Sequence, residues 1–264
     1  MCRTTPLVIR WCRGLRVTGS GWMTLRLRGD LHVHSTCSDG KASPQEILAR
    51  ILELGFEVAT ITDHDTFEGS LRLARLARSA GYELVVLIGA EIRTDAGDVL
   101  VYCAEKPLSR TPRVLEELID HAHEEGCLAV AAHPFDRRRH GVGDRVYTAG
   151  FDAIEVFNAA ADPLANRRAA EAARRLGKPG LANSDAHVLD FIGASHNVIL
   201  ADDATPEAVL RAIREGRVAP VPGRPGPVAY AKAVAWGLER RLRRRRGGPS
   251  RLDYLEDYQD YTPV

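Results

Sequence analysis

The sequence predicts an α/β fold of alternating strands and helices that closes, or nearly closes, into a barrel; an open doubly wound sheet is the alternative. Three observations carry this. Short apolar runs alternate with amphipathic helical patterns from about Leu25 to Val218. Most runs are continuously apolar and end in a polar residue, as buried parallel strands do. The 264 residues, 45% of them hydrophobic, suffice for one sizeable core.

Taken in order, the strand candidates are 25–33 (LRLRGDLHV), 57–62 (EVATIT), 83–92 (ELVVLIGAEI), 128–133 (LAVAAH), 152–158 (DAIEVFN), 179–184 (PGLANS) and 196–200 (HNVIL). An additional run, 98–103 (DVLVYC), is placed to form a hairpin with the third. Helical patterns fill the intervals at 43–55, 68–81, 111–126, 162–177 and 205–216. The first shows Ser43 at the cap, Pro44 in the first turn and Glu46 three residues after the cap. Each ends at a glycine after its amphipathic stretch. Repeated strand–helix units imply a parallel sheet.

Composition divides the chain further. Residues 1–22 lack an apolar period, and arginines interrupt any signal-like core, so they are expected to be a disordered extension. Residues 23–222 are expected to form the barrel. Residues 223–246 hold a GRPGP linker and a basic helix. Its Ala231, Val234, Ala235, Leu238 and Leu242 are expected to pack on the barrel. Residues 247–264 are polar and acidic and are expected to be disordered. Net charge is +1, so no global field selects a nucleic acid or a membrane. No run approaches the ~20 apolar residues of a membrane span. The five cysteines lack a CxxC or a dense spacing, which predicts a cytoplasmic protein without a disulfide framework, with Cys103 and Cys127 as core residues.

The chemistry lies at the strand ends. His32 and His34 are two apart on the first strand and point to one side. Asp39 follows in a turn. His64, Glu91, His133 and Asn158 close the next four strands, and Asp185 and His187 follow the sixth. Parallel barrel strands bring these ends to one face. Carboxylates gathered there repel one another unless cations intervene. The His/carboxylate mixture suits Zn, Mn or Fe, and the ligand number suits two or three ions.

The segments DLHVHSTCSDG, TDHDT, GAEI, AHP and SDAH, in that order, resemble the PHP (polymerase and histidinol phosphatase) superfamily in its stand-alone phosphoesterase branch, over about residues 27–200. The resemblance implies a distorted, TIM-like, seven-stranded β/α barrel with up to three metals. By motif, one metal takes His32, His34, Glu91 and Asp185. A second takes His133 and shares Glu91, with Asn158 where some relatives place a ligand. A third takes Asp39, His64 and His187.

Other polar residues are weighed against simpler roles. His121 and His123 lie in a charged helix and are expected to be solvated. Asp63 and Asp65 are candidates for orienting imidazoles. Arg137, Arg138 and Arg139 form a cationic loop after His133 that could grip phosphate at the rim, with Arg137 and Arg138 the leading candidates. His140 and His196, beside Glu91 and Asp185, are catalytic candidates, the histidines as proton donors to the leaving group. The expected function is hydrolysis of a phosphomonoester or phosphodiester by metal-bound hydroxide. The substrate would be a small phosphorylated metabolite, a nucleotide or a nucleic-acid end. The alternatives are an amidohydrolase-like metal hydrolase, a non-catalytic metal- or nucleotide-binding regulatory module, and nucleic-acid binding through the basic helix.

Overall fold

The computed structural model describes residues 16–17 and 23–245. Apart from Arg16–Val17, the expected disordered extension and tail lie outside the described residues. The strands are β1 (Arg16–Val17), β2 (Met23–Asp30), β3 (Val58–Ala59), β4 (Val85–Val86), β5 (Ile88–Arg93), β6 (Asp98–Cys103), β7 (Leu128–Ala131), β8 (Ala153–Asn158), β9 (Gly180–Asn183), β10 (His196–Ala201) and β11 (Val218–Val221). The helices are α1 (Pro44–Glu53), α2 (Glu68–Ser79), α3 (Leu115–Glu124), α4 (Pro163–Leu176), α5 (Pro206–Arg214) and α6 (Pro227–Arg245).

Local chemistry explains the helix limits. Ser43 and Glu46 form a reciprocal capping box on α1, with Pro44 in its first turn. Asp162 caps α4 by accepting from the Leu164 amide, and Gly177 ends it in the left-handed conformation, at φ 62°.

The strands form two sheets rather than one continuous seven-stranded ring. One runs β11-β10-β2-β3-β4, with β1 on β2; the other runs β5-β6-β7-β8-β9. Isolated bridges, Val33–Ala186 and His64–Glu91, join them. Pairing is parallel for β2–β3, β3–β4, β7–β8 and β8–β9. The β5–β6 hairpin is antiparallel, as the sequence suggested. An all-parallel sheet is corrected at β10, which runs antiparallel to both β2 and β11. Its apolar pattern carries no direction. Asn197 fixes its place by accepting from the Ala182 amide at 2.9 Å and donating to the Asn183 side chain at 2.9 Å.

The fully buried Tyr102 spans the interior between the sheets, its hydroxyl donating to the Leu31 carbonyl at 2.8 Å. Cys103 and Cys127 are core residues, as expected, but they also form a disulfide, which corrects the expectation of none. Antiparallel β6 and β7 pair Tyr102 with Leu128, which sets the two cysteines side by side, Cα atoms 4.3 Å apart. His121 is also corrected: it is buried, within 3.2 Å of the Ser109 hydroxyl and 2.9 Å of Glu125.

Helix α6 forms where the basic helix was expected, but with another face inward. Val234, Leu238 and Leu242 are exposed, whereas Ala229 is buried and Ala233 and Trp236 pack on the core. Polar partners decide the rotation: Lys232 reaches Asp190, while Trp236 and Arg240 reach Asp39. No helix among the described residues is long and apolar enough to cross a membrane.

Candidate metal centre

Strand ends and the loops after them deliver the predicted residues to one buried bowl. His32 and His34 follow β2 on one side of the chain, with ring nitrogens Nε2 3.2 Å apart. Glu91, in β5, stands against both, Oε2 lying 3.5 Å from His32 Nε2 and 3.3 Å from His34 Nε2. Asp185 Oδ1 approaches the same nitrogens at 3.7 and 3.4 Å. The other side of Glu91 meets His133 Nε2 at 2.9 Å, while His64 Nδ1 lies 3.0 Å from Oε2. Glu91 is therefore the hub of the bowl.

A second group adjoins it. Asp39 Oδ1 faces His187 Nε2 at 3.1 Å, His64 Nε2 at 3.7 Å and His34 Nδ1 at 3.8 Å. The turn carrying Asp39 is pressed onto the first strand end: a Cβ at Gly40 would stand 2.1 Å from the His34 carbonyl oxygen. Two of the clustered residues, His133 and Asp185, hold positive φ values of 30° and 55°. Such conformations cost roughly 1–3 kcal/mol each and persist where surrounding contacts over-determine them.

The donor set fits divalent ions. His34, Asp39, His64 and His187 offer ligand atoms within 4.8 Å of one another, as do His32, His34 and Glu91, and His32, His133 and Asp185. His34 Nδ1 is buried without a hydrogen-bond partner among the described residues, and it faces Asp39 Oδ1. A buried polar atom left unpaired is costly, and a cation between such atoms removes the cost.

Electrostatics support the grouping. Burial alone would push the Glu91 and Asp185 carboxyls up. His32 and His133 overcome this for Glu91, Arg139 and His32 for Asp185, and both carboxyls are held well below the usual range. Burial likewise opposes charge on His32, but Glu155, Asp185 and Glu91 outweigh it and raise that imidazole well above its ordinary value. His34 goes the other way, lowered by burial and by His187.

Several predicted residues are not brought to the bowl as expected. Asn158 lies beside it but is turned as a donor, with Nδ2 3.0 Å from Glu155 and 3.2 Å from Asp185. Its Oδ1 accepts from the Ala160 amide at 2.9 Å, so the oxygen expected to ligate is already used. Asp63 does not orient an imidazole; it binds the Ser35 amide and the Ser35 and Ser38 hydroxyls, ordering the loop that carries Asp39. Asp65 accepts from the Arg93 amide and from Arg113. His140 is exposed, and no described hydrogen bond or ion pair joins its ring to the bowl. His196 packs instead against Phe56, ring centroids 5.4 Å apart.

The rim arginines are also reassigned. Residues 137–139 form a 3-10 turn capped by Asp136, which leaves Arg137 and Arg138 in solvent and sends the third arginine inward. Arg139 Nη1 donates to Asp185 Oδ2 at 2.5 Å. Sequence reasoning grouped Arg139 with the rim arginines without singling it out, and it missed Glu155. Glu155 is fully buried and accepts from His32 Nδ1, the His133 amide, Asn158 and Asn183. The available signal was the carboxylate inside the apolar run AIEVF.

A family model described as PHP-associated matches residues 163–218. A two-domain protein from Bacteroides vulgatus, containing a predicted PHP-like metal-dependent phosphoesterase, superposes with a TM-score of 0.63 at 18% identity, covering 76% of this chain and 66% of that one. The chain belongs to the PHP superfamily. An uncharacterised protein of Methanocaldococcus jannaschii is 34% identical over 146 residues, 50% of this chain and 82% of the relative. A 5'-3' exoribonuclease of Haemophilus influenzae is 42% identical over 66 residues, and the chain spans only 23% of its length. A lesion-specific endonuclease from Pyrococcus furiosus shares the fold at a TM-score of 0.50 and 20% identity, covering 74% of this chain and 58% of the endonuclease.

Proposed function

We propose that this PHP chain is a metal-dependent phosphoesterase acting on a phosphomonoester or phosphodiester. The observation that carries the reading is Glu91, a buried carboxylate whose two oxygens face different imidazoles, His133 on one side and His32, His34 and His64 on the other. Only a carboxylate can bridge two ions in that position. His32, His34, Glu91 and Asp185 would hold one ion, His133 and Glu91 a second, and Asp39, His64 and His187 a third.

Bound ions would supply Lewis acidity and an activated water. The chain's own groups do the positioning. Glu155 accepts from His32 Nδ1 and so directs Nε2 into the bowl. Arg139, on Asp185 at the rim, places a guanidinium where a phosphate's nonbridging oxygens would lie. The buried walls exclude bulk water, which strengthens both interactions.

The test is a screen of purified protein, supplied with Mn, Zn or Fe, against phosphomonoesters, phosphodiesters and short oligonucleotides, run beside Glu91→Ala. The parent should turn over at least one class. The variant should lose on the order of a thousandfold in turnover and more than one ion per chain by elemental analysis. Near-parental turnover by Glu91→Ala would overturn the bridging assignment. Cleavage of amides but of no phosphoester would overturn the reaction class.

A further inference from the structure

Helix α6 follows a Gly/Pro-rich connection, GRPGP, yet it returns over the bowl. Lys232 Nζ donates to Asp190 Oδ1 at 2.6 Å, and Trp236 Nε1 donates to the Asp39 carbonyl at 3.0 Å. Arg240 pairs with Asp39 Oδ2 at 2.6 Å. So seated, α6 forms one side of a cavity of about 170 Å³ whose lining includes Asp185 and His187.

Two kinds of surface meet in this cavity. Arg139 and Arg240 bracket it with two guanidinium charges, and Trp236 and Phe191 give it aromatic surface. Gly237 also lines it. Glycine inside a helix costs roughly 1 kcal/mol relative to alanine. No crowding demands one here, because an added Cβ would meet no atom within 4 Å. The missing side chain leaves the cavity open.

We propose that α6 is the leaving-group wall of the active centre. It would admit a phosphate ester carrying a flat aromatic ring, as in a nucleoside monophosphate. The phosphate would lie at the ligand cluster, between the two arginines, and the ring would extend along Trp236 toward Phe191. Aromatic surface recognises any nucleobase through its π-face, and the arginines match the phosphate charge. The proposal rests on the phosphoesterase reading for turnover, but binding tests it separately.

The experiment compares full-length parent, Gly237→Leu and Trp236→Phe in Mn on two substrates, adenosine monophosphate and glycerol phosphate. The variant-to-parent ratio of kcat/KM for each substrate cancels intrinsic reactivity. Gly237→Leu should lower the ratio about tenfold or more for the nucleotide and leave glycerol phosphate within about twofold, with ion content unchanged. Trp236→Phe retains an aromatic face and should retain most of the nucleotide preference. Calorimetric titration with adenosine monophosphate should show the same loss of binding in Gly237→Leu. Equal losses on both substrates would make α6 a structural strut only and overturn the proposal, as would no loss on either. If the parent hydrolyses neither ester, the phosphoesterase reading loses its monoester arm. The calorimetry then decides this proposal alone: nucleotide binding that Gly237→Leu removes sustains it, and binding absent from the parent or unaffected by the variant overturns it.

Discussion

Replacing Glu155 with glutamine changes almost no volume, and yet it should disturb the bowl more than most surface truncations. Oε1 accepts from His32 Nδ1 at 3.0 Å and Asn183 Nδ2 at 2.9 Å. Oε2 accepts from the His133 amide at 2.8 Å and Asn158 Nδ2 at 3.0 Å. Glutamine has one oxygen and one NH2, so in either orientation two buried donors face another donor. Each buried donor left unsatisfied costs roughly 1–3 kcal/mol, which makes the expected loss about 2–6 kcal/mol. That is a large part of the roughly 5–15 kcal/mol that holds a typical domain together. His32 also loses the acceptor that fixes its ring, so ion affinity should fall about 10–100-fold. Urea unfolding with and without chelator reads the first effect, and competition with a chromophoric chelator reads the second. A glutamine variant within about 0.5 kcal/mol of the parent, with parental ion affinity, would refute the assignment of Glu155 as an acceptor for four donors.

Two further outcomes follow from buried groups away from Glu155. Burial pushes the Asp30 carboxyl up to about 6 against hydrogen bonds from Ser184 and Gly193, so the folded chain retains a proton that the unfolded chain releases between about pH 4 and 6. This contribution favours folding below that window and is lost as pH rises through about 6, to a total of about 3 kcal/mol. Asp30→Asn should therefore gain on the parent between pH 5 and pH 8 in chelator-treated urea titrations, and a gap independent of pH would contradict the shift. Reduction of the Cys103–Cys127 disulfide, which closes a sequence separation of 24, should cost about 3 kcal/mol. Thiol counting under denaturing conditions, with an unfolding midpoint before and after reductant, checks this; an unchanged midpoint would refute it.

What was legible in the sequence was whatever repeats at a fixed spacing or sits at a boundary. The Ser43–Glu46 cap, the glycine stops and the polar residues at strand ends located the helices and the bowl. Less legible were features that depend on which elements meet in space. Glu155 reads as a misplaced charge until Asn158, Asn183 and His32 surround it. Arg137, Arg138 and Arg139 are indistinguishable as letters, and only the 3-10 turn selects the third. β10 has the same apolar pattern in either direction. The stripe Val234, Leu238 and Leu242 suggested an inward face for α6, but the ion pairs at Asp39 and Asp190 lie on another one. Cys103 and Cys127 have no distinctive spacing, because their pairing follows from the β6–β7 register.

The antiparallel insertion of β10 beside β2 has a consequence for how the chain is made. Asn197 bonds the Gly29 carbonyl across 168 residues, and the Leu31 amide bonds Asn183 across 152. The strand that leads to His32 and His34 therefore lacks its β10 neighbour until most of the chain has left the ribosome. Synthesis at roughly 5–20 residues per second leaves that edge unpaired for about ten seconds or more. Closure must then bring distant ends of the chain together, the kind of pairing that slows folding. The bowl cannot close before Asp185 and His187 have emerged, and a nascent chain stalled before Asn183 would expose two histidines and an open strand edge to ions and to other chains alike.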